Sequence, residues 1–450
     1  MPDPQGRADA ITIRLGRGRS ATIMCVSTHV DLDQPGTGGW RVLAPFRFRE
    51  YRLLIGALSI SIFAEGMWAV VMAMQVIALD NDPASLSLVA TCLGTGLVAF
   101  VLIGGIAADR LNQRSIIIAV EAVNTAVVLT AATLSSLGLL RIWQMAVAAG
   151  ALGIAAAFFF PAYSAMLPRI LPADQLLAAN GVEGVVRPVF QRAVGPAVAG
   201  VLVGVTFPAL GAFTVAALFA VGLILLVATR PPKPVATSGD RERTHVLRDM
   251  RDGVRFMVRT PWLLWTVLFA SVFVLVVLGP IEVLLPFIAQ NRFADGARMY
   301  GFILAAFGIG SAIGALAVSS GRLPRRYLTV MMVMWGAGSL PLVIVGATSS
   351  FPLMALATFV VGLTDGAGSV IWGTLLQRRV PREMLGRVSS LDFFVSLAFI
   401  PVSFAIAGPL SKVVPMETIF VAAGVVPVVL AGIAIVAAKM PRDEIENPLG

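Results

Sequence analysis

The sequence predicts an all-α membrane protein with twelve transmembrane helices in two pseudo-symmetric six-helix bundles. Three observations lead there. Of 450 residues, 57% are hydrophobic and only 13% charged, with mean hydropathy +0.87; soluble globular domains carry about 25% charged residues. The apolar residues fall in runs of about 20, the length a bilayer requires. The two halves of the chain also echo each other at a nearly fixed offset.

Residues 1–45 are polar, Arg-rich and punctuated by Gly and Pro. They hold no apolar core of a signal peptide, and are expected to form a disordered cytoplasmic tail. Met24 is an alternative start. The apolar runs then read roughly 53–79, 86–108, 115–137, 142–166, 181–204, 208–229, 262–289, 299–319, 327–348, 351–376, 389–411 and 416–438. Asp80-Asn81-Asp82-Pro83 marks a tight turn after the first.

Residues 230–260 are the longest interruption, a cytoplasmic linker with Pro231-Pro232, Pro234 and Ser238-Gly239. Its second part, Val246 to Phe256, suits an amphipathic helix on the membrane surface. The linker separates an N-terminal bundle, 46–229, from a C-terminal bundle, 261–440, and residues 441–450 form a short tail.

The net charge of +9 points to orientation rather than to nucleic acid. With the N-terminal tail inside, 28 of the 34 basic residues fall in inner loops and tails. Only Arg141, Arg292, Arg298 and Lys412 fall outside, while Arg187 and Arg192 lie within the fifth span. This asymmetry places both termini in the cytoplasm of a cell whose inner membrane the chain crosses.

Four segment pairs carry the repeat. Arg49-Glu50-Tyr51-Arg52-Leu53-Leu54 matches Arg259-Thr260-Pro261-Trp262-Leu263-Leu264, and Asp109-Arg110-Leu111-Asn112-Gln113-Arg114 matches Gly321-Arg322-Leu323-Pro324-Arg325-Arg326. Met145-Ala146 with Gly153 matches Met354-Ala355 with Gly362, and Leu171-Pro172 matches Val380-Pro381. All offsets lie between 209 and 212 residues.

Several chemistries lack their residues. Cys25 and Cys92 suggest neither a disulfide nor a metal framework, and His29 and His245 cannot assemble a zinc motif. No P-loop occurs, so the chain is no ATP-driven pump by itself, and it is not expected to be an enzyme. Gly308, Gly310 and Gly314 follow no strand and read as helix packing.

An ionisable group inside a membrane is costly, so each one asks for a reason. Glu65 lies about 12 residues into the first span, roughly 18 Å deep. It shares a helical stripe with Ser61, Trp68, Met72 and Gln75, a polar and aromatic face unsuited to lipid. Asp365 lies about as far into the tenth span, on a stripe with Thr358, Gly362, Ser369 and Trp372. Both acids are expected to line a central substrate and proton path, the alternative being structural carboxyls bonded to neighbouring helices. Glu282 follows Gly279-Pro280, an expected kink, and is placed near the outer mouth of that path. Glu121 and Asp392 read as structural, Glu183 and Arg187 as a local ion pair or as partners of the Asp109 loop, and Phe158, Phe159, Phe160 and Tyr163 as packing or an aromatic pocket.

The charged loop Gly105-Ile106-Ala107-Ala108-Asp109-Arg110-Leu111-Asn112-Gln113-Arg114 resembles the loop 2–3 signature of the major facilitator superfamily, with Asn112 and Gln113 departing from its usual residues. Leu376-Gln377-Arg378-Arg379-Val380-Pro381 with Gly386-Arg387-Val388-Ser389 resembles the enterobactin-exporter-like and macrolide-efflux-like branch. Gly195-Pro196-Ala197-Val198-Ala199-Gly200 is similar to the antiporter motif of helix 5. The resemblance covers residues 46–440. It implies a monomeric secondary transporter that exports a small amphipathic molecule, drug or siderophore, by alternating access, driven by a proton gradient and needing no cofactor. It also implies a cytoplasmic gate built from Gly105, Asp109, Arg110 and Arg114, with Arg322 and Arg326 in the matching loop. Ala146-Val147-Ala148-Ala149-Gly150 lacks the arginine that the family often carries in the fourth span for proton coupling. A proton-coupled uptake symporter, a lipid exporter and a non-transporting receptor of the same fold stay open as alternatives.

Overall fold

The computed structural model describes residues 10–15, 19–24, 41–172, 175–229, 246–321 and 323–449. Twelve helices in it are long and apolar enough to cross a membrane. They are α1 (Arg49–Leu79), α2 (Pro83–Ala108), α3 (Gln113–Ser136), α4 (Ile142–Ile170), α5 (Ala178–Val205) and α6 (Pro208–Ala228), then α7 (Pro261–Arg292), α8 (Gly296–Ser319), α9 (Tyr327–Ala347), α10 (Phe351–Arg379), α11 (Phe394–Ser411) and α12 (Met416–Ala437). Each expected apolar run lies on one of these helices.

Local chemistry sets several ends. Asp82 caps α2 by accepting from Ala84 N at 2.9 Å, with Pro83 in the first turn. Asn112 caps α3 by accepting from Arg114 N at 3.0 Å, which gives this departure from the signature loop a structural use.

The halves repeat each other in packing as well as in sequence. In the first, α2 lies along α4 through Gly104 and Gly153; in the second, α8 lies along α10 through Gly314 and Gly362. A Cβ at Gly104 would come within 2.1 Å of the Ala157 carbonyl oxygen, and one at Gly314 within 1.9 Å of the Leu363 oxygen. Such close backbones raise dispersion contact where lipid supplies no hydrophobic drive.

The seam between the halves is uneven. Away from the Arg-rich loops, one apolar core runs through both halves, from Met67 and Val71 of α1 to Leu284 of α7 and Phe420 of α12. Beside the Arg-rich loops there are two cores. One, around Tyr51, Ile117 and Tyr163, belongs to the first half; the other, around Trp262, Tyr327 and Leu375, belongs to the second. The bundles thus meet on one side of the membrane and part on the other.

The N-terminal tail departs from expectation. Within the stretch read as disordered, Ala10–Leu15 pairs antiparallel with Arg19–Met24, Ile11 opposite Ile23 and Thr12 opposite Thr22; β-branched residues at these positions favour strand pairing. The C-terminal tail is held against its own half. Met440–Glu446 is a helix whose Glu444, 3% exposed, accepts from Thr329 N at 2.7 Å and Thr329 Oγ1 at 3.0 Å. A carboxylate there satisfies free N–H groups in the first turn of α9 and complements its dipole. Val246–Arg259 forms the linker helix, while residues 230–245 lie outside the described ones.

Candidate functional site

Backbone irregularities build the site. Pro188 and Pro196 cannot donate to the carbonyls four residues back, and Pro188–Val194 of α5 winds as a π-helix. Gly308 of α8 packs on the carbonyl that Pro196 leaves free: a Cβ there would lie 2.3 Å from the Arg192 oxygen. In α7 the segments Val274–Leu278 and Pro280–Leu284 are also π-helical, on either side of Gly279. Ser403 of α11 repairs that break. Its Oγ accepts from Gly279 N at 2.8 Å and donates to the Leu275 carbonyl at 2.8 Å.

These segments aim polar side chains into a cavity of about 410 Å³ between the halves. Glu65 from α1, Gln191 and Arg192 from α5, Glu282 from α7 and Asp365 from α10 all line it. The Gln191 amide donates to Glu65 Oε2 at 2.8 Å. Arg192 Nη1 stands 3.5 Å from Asp365 Oδ2, an ion pair across the seam, and its guanidinium lies 5.7 Å from the Phe307 ring centre. A second lobe of about 320 Å³ runs into the first half between Trp68, Met72, Asn124, Phe159, Phe160 and Phe219. Glu65, Gln191 and Glu282 border both lobes.

The structure therefore brings Glu65, Asp365 and Trp68 to the cavities, together with Pro196 of the helix 5 motif. Glu282, which the sequence placed near the outer mouth, lines the same cavity as Glu65 and Asp365 from within the π-segment Pro280–Leu284. Gln75 and Trp372 line neither lobe. Gln75 is 6% exposed, between Met74 and Val76 of the core that the halves share. Trp372 joins a ring cluster with Trp262 and Trp335, and its Nε1 donates to Asp392 Oδ2 at 3.1 Å. Gln191 and Arg192 were not read as site residues. An arginine inside a span carries the signal that could have shown the second; a neutral amide carries none.

Glycines of the helix 5 motif bring α5 to two partners. A Cβ at Gly195 would meet Gly66 Cα of α1 at 2.9 Å, and one at Gly200 would meet Gly301 Cα of α8 at 3.0 Å. Glu183 and Arg187 pair at 2.9 Å, with Arg187 over the Phe160 ring. Glu121 is sealed at 1% exposure beside Ser61, clear of both lobes.

At the signature loop, Arg114 holds the end of α6. Its Nη2 donates to the Val227 carbonyl at 2.8 Å, and its Nε to Thr229 Oγ1 at 3.4 Å. This is the expected use of an arginine at a helix C-terminus. Gly105 faces open space, and its neighbour Gly104 makes the helix contact instead. Arg110 and Arg326 are exposed, while the Asp109 side chain and Arg322 lie outside the described residues. On the opposite face two further contacts join the halves. Gly408 N donates to Ser87 Oγ at 2.7 Å, and Lys412 Nζ to Asp82 Oδ2 at 2.6 Å. The hydrogen bonds from Lys412 and from Ala84 N hold the Asp82 carboxyl below its ordinary pKa.

Comparison with known proteins agrees with this architecture. The family model for the Major Facilitator Superfamily matches residues 54–397. The chain belongs to this superfamily of membrane transporters. It is 31% identical over 301 residues to an uncharacterized MFS-type transporter, y4rN, of Sinorhizobium fredii, covering 66% of this chain and 69% of the relative. It is 25% identical over 359 residues to the enterobactin exporter EntS of Escherichia coli O1:K1, covering 76% and 80%. Among solved structures, the nucleoside transporter NupG superposes with a TM-score of 0.65 at 15% identity, covering 89% of this chain and 100% of that one. A bacterial homologue of the lysosomal transporter Spinster superposes with a TM-score of 0.63 at 14% identity, covering 90% and 99%. At such identities these two show the fold alone.

Proposed function

We propose that this multi-pass membrane protein is a bacterial inner-membrane exporter of small amphipathic molecules that works by proton antiport. The observation that carries the reading is the convergence of Glu65 and Asp365, one from each half, on a single cavity. A carboxyl between two bundles that rock can meet water from either face in turn and carry a proton across. Amphipathic cargo suits a cavity whose few polar groups sit among Phe273, Phe307 and Trp335. Export as the direction draws on the likeness to EntS.

Both termini lie on the cytoplasmic side in this reading, because the Arg-rich loops flank them. The separate cores beside those loops then correspond to a cavity approached from the cytoplasm. Asp109, Arg110 and Arg114 take part in closing that side.

Reconstituted protein loaded with a pH-sensitive dye tests the coupling. Glu65→Gln and Asp365→Asn should each lower substrate-driven proton movement and flatten its dependence on pH. If both variants export at the parent rate with the same pH dependence, proton carriage by these acids is wrong.

A further inference from the structure

The lining of the two lobes is unbalanced in charge. Three carboxyls, Glu65, Glu282 and Asp365, face one guanidinium, Arg192, among the described residues. Arg192 stands with Asp365. Glu65 bonds the neutral amide of Gln191, and the further cation that acts on it, Arg187, is already paired with Glu183. Glu282 is exposed to the cavity, hydrogen-bonds to no described residue and shares the field of Arg192 with Asp365. A carboxylate in a cavity with apolar walls is costly unless a cation or a proton meets it.

The second lobe supplies what such a cation would be attached to. It runs from Glu282 and Glu65 into a pocket walled by Phe159, Phe160, Phe219 and Phe404. Aromatic faces attract both flat rings and onium groups. At its wall Asn124 is 93% buried, as its 7% exposure shows, and has no hydrogen-bond partner among the described residues. An amide that opens on the lobe and takes no protein partner is set to bond a polar group of a ligand.

We propose that the cargo is a monocationic aromatic amphiphile. Its cationic head lies at Glu282 and Glu65, its ring enters the phenylalanine lobe, and a polar ring substituent reaches Asn124. This rests on the transport reading and narrows it: a cargo whose charge at neutral pH is negative would meet two carboxyls without a direct ion pair among the described residues.

The test uses purified full-length protein in nanodiscs and in proteoliposomes, with three probes of one shape. They are a naphthylmethyl-trimethylammonium ion, its uncharged isostere with carbon in place of nitrogen, and a naphthalene carboxylate. The cation should bind at least about tenfold more tightly than either of the others. Glu282→Gln should bring the cation and the isostere close to parity, and Glu282→Asp should keep the preference; gel filtration of each variant shows that it is folded. Equal or tighter binding of the isostere or the carboxylate overturns the charge assignment, and their movement across the proteoliposome membrane would leave the transport reading standing. A cation that binds preferentially but is never moved sustains the assignment and overturns transport. Failure of all three probes to bind overturns the assignment.

Discussion

Glu65 accepts a hydrogen bond from Gln191, a residue of its own half, whereas Asp365 faces Arg192 across the seam. In the sequence the two acids look equivalent, each about a dozen residues into its span. In the structure only one of them depends on how the halves are docked. Rocking one bundle against the other leaves the Glu65–Gln191 bond intact and changes the distance from Asp365 to Arg192. Asp365 is therefore the acid that senses conformation, and Glu65 the one whose surroundings travel with it. The same contrast holds for packing. Gly104 and Gly314 lie inside the halves, where rocking would keep contact, while Gly200 and Gly301 lie between them, where rocking would break it.

The largest effect should come from filling the seam. A Cβ at Gly301 would lie 2.4 Å from the Pro196 carbonyl oxygen in the other half. Gly301→Val should disfavour the present arrangement by about 1–3 kcal/mol, the usual penalty of overpacking. Cross-linking or spin-label distances should then show the face bearing Asp82 opening, while thermal stability changes little. Gly314→Val, inside one half, should do the reverse: stability falls and the distances between halves stay. If both variants only destabilise, the contrast between fixed and mobile glycine contacts is wrong.

Next comes the ion pair. Arg192 is half exposed to the cavity, so its pairing with Asp365 is discounted for solvent to about 1 kcal/mol, or roughly fivefold. Arg192→Ala should slow export by about that factor. Asp365→Asn in the same chain should add less than it does alone, the mark of coupled residues. Glu65→Gln should add in full. Equal additivity of both acids with Arg192→Ala would erase the distinction between them.

How much of this was legible depended on the kind of force at work. A bilayer dictates span length, so hydropathy located all twelve helices. Intramembrane charge is rare enough to expose Glu65 and Asp365. Helical stripes, however, assume regular winding, and the π-segments at Pro188–Val194 and Val274–Leu284 break it. Glu282 lies inside one of these segments, where regular winding no longer gives its direction. A stripe also gives a direction without the neighbour that occupies it, and so Trp372 was assigned to the path when Asp392 had already engaged it. The cap that Glu444 places on α9 joins residues 115 apart, beyond the reach of any local pattern.

The gating loops differ between halves in the same spirit. Asp109 of the first half has Gly321 as its counterpart in the second, so an acid-dependent closure would be one-sided. Asp109→Asn should leave the protein folded and membrane-inserted and lower export severalfold. Restoring symmetry with Gly321→Asp should not rescue it. Undiminished export by Asp109→Asn would remove the acid from the closing step.

The smallest effect belongs to the pair on the opposite face. Asp82 and Lys412 come from different halves, so their bond favours the closed seam there. Both are partly exposed, which limits the gain to about 1 kcal/mol or less. The sign with pH follows from the lowered pKa of Asp82: its stabilisation is complete above the ordinary aspartate value of about 3.9 and fades as pH falls through the lower one. Between pH 5 and pH 8 this contact is therefore constant. Asp82→Asn should change export by less than about fivefold and leave its pH profile over that range unaltered. A profile that shifts in Asp82→Asn but not in Glu65→Gln or Asp365→Asn would move the proton-sensitive step from the cavity to the closed face, and with it the reason for the difference between the two central acids.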